Sequence, residues 1–422
     1  MKKNMVLGAI LVIFLTLLGC KGPIYSPTQF NSCLLNENWM QTVNTNPSKW
    51  LKNVDSWFIT GQPNQTERAN LRAPDAAAIS YMSVRVPYFS NLKVEGDFQV
   101  QIVGNQATTS AYVVGPNTLV NDVVVEVNNQ TVFIHPRKDS KANLSKVIVR
   151  LGVRDLQSIT NAGTGTILGR HIVSIGLKIT NCASGCIILN GDMNVTKVIQ
   201  SGSGTITVMG ACAPCVQVEV KTNGNVNLSG HVGIQKIIHL GDGQVNIIGA
   251  DTDSLSIEAS GCGLTSVVGY AQLKKVTAKN SSQVYVYWVT GQGAYICASD
   301  SAIIGLAGSA ANMNIDAYNN SRFWGQYLRG GTVYVRTEEY AHANVNVVCR
   351  LFAAATNYSS IYFFGTPTVV SRYTTQNGVV LPVWSKSSLL ATPQPAAPVV
   401  VQKPAAPVRK TGWLQIFSHP LS

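Results

Sequence analysis

The stretch Val198-Ile199-Gln200-Ser201-Gly202-Ser203-Gly204-Thr205-Ile206-Thr207-Val208 is answered by Val218-Glu219-Val220-Lys221-Thr222-Asn223-Gly224-Asn225-Val226-Asn227-Leu228. It returns again as Ile237-Ile238-His239-Leu240-Gly241-Asp242-Gly243-Gln244-Val245-Asn246-Ile247. Working outward, the glycine position reads Gly165, Gly185, Gly204, Gly224, Gly243 and Gly263, then Ser282, Ser301 and Ser321, in steps of 20, 19, 20, 19, 20, 19, 19 and 20 residues. Six residues earlier stand Ile159, Ile179, Val198, Val218, Ile237, Ile257, Val276, Tyr295 and Ile315. Two residues later stand Ile167, Ile187, Ile206, Val226, Val245, Thr265, Val284, Ile303 and Phe323. Four later come Gly169, Leu189, Val208, Leu228, Ile247, Val267, Val286, Gly305 and Gly325.

A fixed period near 20 with apolar residues in register marks a solenoid, in which each unit covers the open face of the one before. Within a unit the apolar residues alternate, so the segments are strands. The small residue between two alternating runs falls where the chain turns. The expected fold is all-β: a right-handed parallel β-helix of about 20-residue rungs, with a strand-rich N-terminal cap and a Pro/Ala-rich C-terminal tail. Charged residues make up 12% of 422 and there are 36 glycines, which is too apolar for disorder and too rich in glycine for a helical protein.

Residues 1–19 read as a signal peptide, with Lys2 and Lys3 ahead of an apolar run too short for a comfortable membrane span. Leu17-Leu18-Gly19-Cys20 resembles a lipobox, which implies cleavage before Cys20 and acylation (palmitate among the chains) of that residue. The plainer alternative is an ordinary signal peptide that happens to end in cysteine. Lys21 in place of aspartate matches the pattern for outer-membrane retention. Residues 20–83 lack the repeat but carry Trp39, Trp50 and Trp57, so they read as an anchor and packing segment, or alternatively as an aromatic docking surface.

Residues 84–150 return to strands at Val84–Val86, Leu92–Val94, Val100–Val103, Val123–Val127 and Val132–Ile134, with Asn128-Asn129-Gln130 as a turn. Here Val86-Pro87-Tyr88-Phe89-Ser90-Asn91-Leu92-Lys93-Val94-Glu95-Gly96-Asp97-Phe98-Gln99-Val100 is similar to the opening of the bacterial head GIN domain family, named for autotransporter-adhesin heads. Gly163-Thr164-Gly165, Gly202-Ser203-Gly204 and Gly241-Asp242-Gly243 continue the likeness, and Tyr362-Phe363-Phe364-Gly365-Thr366-Pro367 looks like that family's closing rung. The resemblance covers roughly 84–380 and implies a cell-surface or periplasmic β-helix with no catalytic residues to carry over. The chain departs from it in its cysteines and in serines replacing the turn glycines after Gly263.

The formal charge is +12, or 12 − 2 = +10 without Lys2 and Lys3. Arg137, Lys138, Lys141, Lys146, Arg150 and Arg154 concentrate part of it. Such a balance favours anionic cell-wall, glycan or lipid-phosphate partners, although a solvated basic face is the default reading of the run. Nucleic acid is not expected, because aromatic residues do not interleave with this basic run. Asp155, Asp192, Glu219, Asp242, Asp251, Asp253, Glu258, Asp300 and Asp316 share no column on neighbouring rungs, so paired carboxylates for glycoside cleavage are not expected. The six histidines show no metal-ligand spacing, and neither an enzyme, a metal nor a cofactor is expected.

Beyond Cys20 there are eight cysteines, and the register puts no two in one column of adjacent rungs. Cys212-Ala213-Pro214-Cys215 is the best local pair, expected as a disulfide clipping a loop, with Cys182 and Cys186 second.

Ten of the fifteen tyrosines fall between Tyr285 and Tyr373. With Val284 and Val286 inward, Tyr285 and Tyr287 point out. In this register Tyr285, Ile304 and Trp324 share one outward column, and Ile248, Val268, Tyr287 and Leu306 the next. An apolar outer face of that extent is either covered by the protein's own termini or used for docking a protein or stacking a glycan. Residues 151–383 therefore form the β-helix. Residues 384–422 are a Pro/Ala-rich linker ending in the apolar segment Trp413-Leu414-Gln415-Ile416-Phe417, expected to dock on a neighbouring subunit. The reading is a lipid-anchored outer-membrane protein, periplasmic side favoured. It is expected to bind within an envelope assembly such as a secretion machine, or alternatively to act as a glycan-binding adhesin.

Overall fold

Alternation of Val, Ile and Leu with Asn, Thr and Lys makes extended backbone the conformation that buries one face and wets the other. The computed structural model describes residues 79–383, and the alternation is realised there as strands throughout. They are β1 (Ile79–Val84), β2 (Asn91–Val94), β3 (Gln99–Val103), β4 (Ser110–Pro116), β5 (Val123–Asn128), β6 (Thr131–Pro136), β7 (Ile148–Gly152) and β8 (Ser158–Asn161). The long rungs follow as β9 (Thr166–Asn181), β10 (Cys186–Gln200), β11 (Thr205–Val220), β12 (Asn225–His239), β13 (Gln244–Ala259) and β14 (Leu264–Ala278). Then come β15 (Gln283–Thr290), β16 (Gly293–Ala298), β17 (Ile303–Ala317), β18 (Arg322–Thr337), β19 (His342–Ala355), β20 (Ser360–Phe364), β21 (Val369–Thr374) and β22 (Val379–Pro382). The signal segment, Cys20, Trp413 and Phe417 lie outside the described residues.

From β9 onward every rung pairs in parallel with the next, which makes the protein a β-solenoid. Register shifts divide each rung into a first arm, a short middle segment and a second arm, as in β11 against β12 at Ala213/Val216. The cores of the two arms are stacks of buried aliphatic side chains, such as Ile187–Ile206–Val226–Val245 and Val198–Val218–Ile237–Ile257. Each fully buried member contributes roughly 1.5–3 kcal/mol.

Glycine is needed at the first corners because the rungs touch there. A Cβ on Gly204 would run into the Gly185 carbonyl oxygen, and one on Gly243 into that of Gly224. After Gly263 the corner changes to a hydrogen-bonded turn with a left-handed residue. Ser282 N donates to Lys279 O (3.2 Å), Ala302 N to Ser299 O (3.2 Å) and Ser321 N to Tyr318 O (3.3 Å), with Asn280, Asp300 and Asn319 at positive φ. That turn closes on itself while still bonding to the rung below, as Ser301 N does to Asn280 O (2.8 Å), and it holds serine or alanine where the earlier corners hold glycine.

The corrected register follows from this corner. Ala302, not Ser301, is the inward corner residue, and Val284 pairs with Ile304, not Ile303. The 20-residue step precedes the 19-residue one here, and matching serine to serine reversed them. A slip of one residue exchanges the faces of the whole rung. Ile304 and Leu306, expected outside, are core residues 0% and 3% exposed. Ile296 takes the inward place expected for Tyr295.

The N-terminal end is not laid down in chain order. β2 sits between β6 and β8, and β3 between β7 and β9. The chain thus starts one rung in, passes outward through β4 to β7, and returns beneath its own beginning. β4 runs antiparallel to β7 and β1 antiparallel to β4, while β5 and β6 form a hairpin turned by Asn129 and Gln130 at positive φ. Antiparallel additions of this kind interrupt the parallel stacking edge. At the other end β21 pairs with β19, and Arg372 occupies the inward column after Val335 and Ala353. Its guanidinium lies 5.0 Å from the Phe363 ring centroid, a charge placed where another rung would have to stack.

Candidate functional site: an aromatic outer face

The first arms carry two outward columns that the strand pairing now fixes. One reads Thr207, Asn227, Asn246, Ser266, Tyr285, Gly305, Trp324, Asn344 and Tyr362. The next reads Ser229, Ile248, Val268, Tyr287, Ala307 and Tyr327. Along the solenoid the face therefore changes from hydroxyl and amide groups to aromatic rings. Asn246 Nδ2 donates to Asn227 Oδ1 (3.0 Å) in the polar part.

Five of the seven residues expected at this face are there: Ile248 and Val268 lie in the second column, beside the three aromatics. Tyr285, Tyr287 and Trp324 point outward, half-buried by one another and by the rung. Gly305 lies between Tyr285 and Trp324, and the Tyr285 ring leans over it. A Cβ on Gly305 would stand 2.6 Å from Tyr285 Cδ1. The two rings meet across the missing side chain with centroids 6.3 Å apart and a tilt of 42°. Burial pushes the Tyr285 phenol up to about 12 and raises that of Tyr287, so both keep their protons and can donate.

Tyr327, which is 48% exposed, extends the face and was missed because a bulge between Gly305 and Ala307 shifts its column. Trp288 was also missed. It stands at the corner where earlier rungs place Gly210, Gly230, Gly249 and Gly269, and it shares their positive φ, at 66°. A bulky residue there is strained by about 1–2 kcal/mol. Arg322 and His342 complete the border, in register on successive rungs. His342 Nδ1 lies 2.8 Å from Ser360 Oγ and its ring is 5.1 Å from that of Tyr362. Burial lowers the His342 pKa, against a hydrogen bond with Asn344 that raises it and with a smaller lowering from Arg322, so the ring is neutral near pH 7.

The second-arm face is aromatic in a different way. Tyr334 and Phe352 stack on neighbouring rungs at 4.8 Å and 9°, so each ring occupies a face of the other. Tyr340 and Tyr358 do the same at the corner, at 5.9 Å. Such ladders tie rung to rung and leave fewer ring faces for a ligand.

Neither Cys212 and Cys215 nor Cys182 and Cys186 are joined by a disulfide in this structure. Cys212 and Cys215 both lie on β11, at the register shift between Ala213 and Val216 that separates the rung's arms. Cys212 pairs in register with His231, and Cys186 with Thr166 and Thr205. Of the basic run, Arg137, Lys138, Lys141, Lys146 and Arg154 are exposed, but Arg150 is buried with Nε donating to Gln101 Oε1 (3.2 Å). Glu219 and Glu258 share a column with Ile238 between them. Among the described residues no three His, Cys, Asp or Glu side chains converge on a point that could hold a metal.

Residues 88–287 match the family described as putative auto-transporter adhesin, head GIN domain. They resemble a head GIN domain. The head GIN match takes in all six glycine corners and ends at the rung bearing Tyr285 and Tyr287, so Trp324, Arg322 and His342 lie beyond it. Similar solved structures include a putative adhesin from Bacteroides fragilis NCTC 9343, at 14% identity and TM-score 0.23 over 72% of this chain and 97% of that one. A putative lipid binding protein from Parabacteroides distasonis ATCC 8503 shows 10% identity and TM-score 0.24 over 72% and 97%. A putative adhesin from Parabacteroides merdae ATCC 43184 shows 13% and 0.23 over 72% and 96%. At such scores these likenesses carry no argument, and the fold rests on the strand pairing. No curated protein matches the chain.

Proposed function

We propose that the protein is a non-enzymatic, adhesin-like binding module of the cell envelope, tethered to the outer membrane by lipid on Cys20. The observation that carries this reading is the aromatic first-arm face. Tyr285, Tyr287, Trp324 and Tyr327 gather on rungs whose core is continuous, so a rigid scaffold presents rings that face solvent. The head GIN match supports an adhesin-like role.

A second reading makes the protein a subunit of an envelope assembly such as a secretion machine, on the periplasmic side. It is supported by the apolar column Ile248, Val268, Tyr287, Ala307, Tyr327, whose first member is 52% exposed. In that reading the Trp413–Phe417 segment is a further contact. The test is recovery of partners by the full-length tagged protein from mild detergent, with wild type beside Tyr285→Ala/Trp324→Ala. Loss of a specific partner in the double variant supports the face. Unchanged recovery removes it from the proposal, and protease shaving of intact cells separates the two readings by location.

A further inference from the structure

The aromatic face has a charge pattern that its apolar character alone does not require. Around Trp324 the outward first-arm positions are Gln283, Tyr285, Ile303, Gly305, Arg322, His342, Asn344 and Tyr362. None is acidic. Arg322 is exposed and makes no ion pair among the described residues, whereas Arg336, on the second arm of the same rung, is paired with Glu338. The corner acid nearest in sequence before Ile303, Asp300, is engaged by Asn280 N (3.0 Å), Asn319 Nδ2 (3.1 Å) and Ser299 Oγ (3.2 Å). Arg322 and Trp324 are two residues apart on β18, so both side chains leave the same face of one strand. Their spacing of about 7 Å along the strand is the scale of one sugar ring.

We propose that this face is a subsite for a carboxylate-bearing sugar of an anionic glycan. Arg322 pairs with the carboxylate, and Trp324, held against Tyr285 over Gly305, stacks on the pyranose ring. Asn344 and the neutral imidazole of His342 meet hydroxyl groups from the neighbouring rung. A guanidinium fork matches a carboxylate in two hydrogen bonds, and a charge without an internal partner is free to make them. A formal charge of 12 − 2 = +10 without Lys2 and Lys3 steers such a ligand toward the protein. Across rungs the ligand meets Gln283, Asn344 and Tyr362, so an extended chain laid along the solenoid axis finds polar partners on both sides of the stacking ring. A protein epitope would be expected to meet more aliphatic surface than this border provides, and a lipid surface a broader basic area.

The inference rests on the first-arm face being the binding face. It is tested with the full-length protein in detergent, by calorimetry against sialyllactose and tetragalacturonate, each beside its neutral counterpart, lactose and galactotetraose. Binding of one acidic probe about tenfold or more tighter than its neutral counterpart is expected. Arg322→Gln should abolish that preference, and Trp324→Ala should weaken both acidic and neutral binding. Arg329→Gln, which removes the same charge from an exposed position outside the subsite, should leave both unchanged. Equal binding of acidic and neutral probes, no binding of either acidic probe, or equal losses in Arg322→Gln and Arg329→Gln would overturn the proposal. Partner capture that survives glycosidase treatment but is lost in Tyr285→Ala/Trp324→Ala would sink the glycan while leaving the binding face standing.

Discussion

Lowering the pH from about 7.5 to about 4.5 should destabilise the wild-type solenoid by roughly 2.5 kcal/mol more than a His239→Val variant. His239 is fully buried in a column between Val220 and Ala259, with Nδ1 2.9 Å from Thr265 Oγ1. Burial lowers its pKa from 6.5 to about 4, against a smaller opposing pull from Asp242. The folded protein therefore keeps the ring neutral while the unfolded chain takes up a proton below pH 6.5. Stability is complete above that pH, falls as pH drops toward about 4, and changes no further below it. The whole effect is about 3 kcal/mol, of which roughly 2.5 is lost by pH 4.5. Valine is the control because Val220 fills the equivalent place one rung earlier, and carboxylates and His342 titrate alike in both proteins. Denaturant melts at a series of pH values give the difference, and the His239 ring resonance gives its midpoint directly. A midpoint near 6.5, or parallel loss of stability in the two proteins, would refute the reasoning.

Gly204→Ala should destabilise strongly, by about 3 kcal/mol or more, because its Cβ meets backbone that cannot move aside. Gly176→Ala, whose nearest neighbour would be Thr196 Cγ2 at 3.9 Å, should be close to neutral in the same thermal melts. Trp288→Gly should raise the melting temperature, since a left-handed corner costs glycine nothing and tryptophan about 1–2 kcal/mol, and an unchanged or lower value would contradict the strain. Arg372→Ala should promote self-association seen by light scattering, because it removes the charge from the exposed last rung. A variant as monodisperse as wild type would show that the edge is protected by something else.

The solenoid was legible because two periods coincide, alternation within the arm and recurrence near 20 between arms. Neither depends on contacts between distant residues. The Gly-x-Gly corners were legible for the same reason, since close backbone approach at each rung leaves a repeated mark. The rung from Tyr295 to Leu306 was misassigned where that mark disappears. Once a left-handed Asp300 makes the turn, the corner accepts Ser or Ala, and the sequence no longer says which residue faces in. Ile304 and Leu306 moved from the expected face into the core on that single step. The insertion of β2 and β3 between later strands leaves no local signature either, because each strand has the same alternation wherever it pairs. Arg322 had a correct outward position from Phe323 inward, but a single arginine adds nothing periodic. Its significance came from the acid-free surroundings that the register reveals.

The change of corner and the change of surface fall on the same rung. In the glycine-cornered rungs each loop presses on the one beneath, and the outward first-arm column carries Thr207, Asn227, Asn246 and Ser266, side chains short enough to bond along the stack. From Ser282 onward the turns are closed by their own hydrogen bonds as well as bonded to the rung below. Spacing along the arm is still set by the ladder, so the change of corner does not explain why the aromatics enter at Tyr285. A ring column at strand spacing would make its members stack and consume their faces, as Tyr334 and Phe352 do. On the first arm Gly305 interrupts that column, and Tyr285 and Trp324 tilt toward each other across two rungs instead of closing face to face. The glycine thus has a role opposite to that of the corner glycines: it makes room for a side chain, not for backbone. That difference supports the proposal that the first-arm face, of the two aromatic faces, receives the ligand.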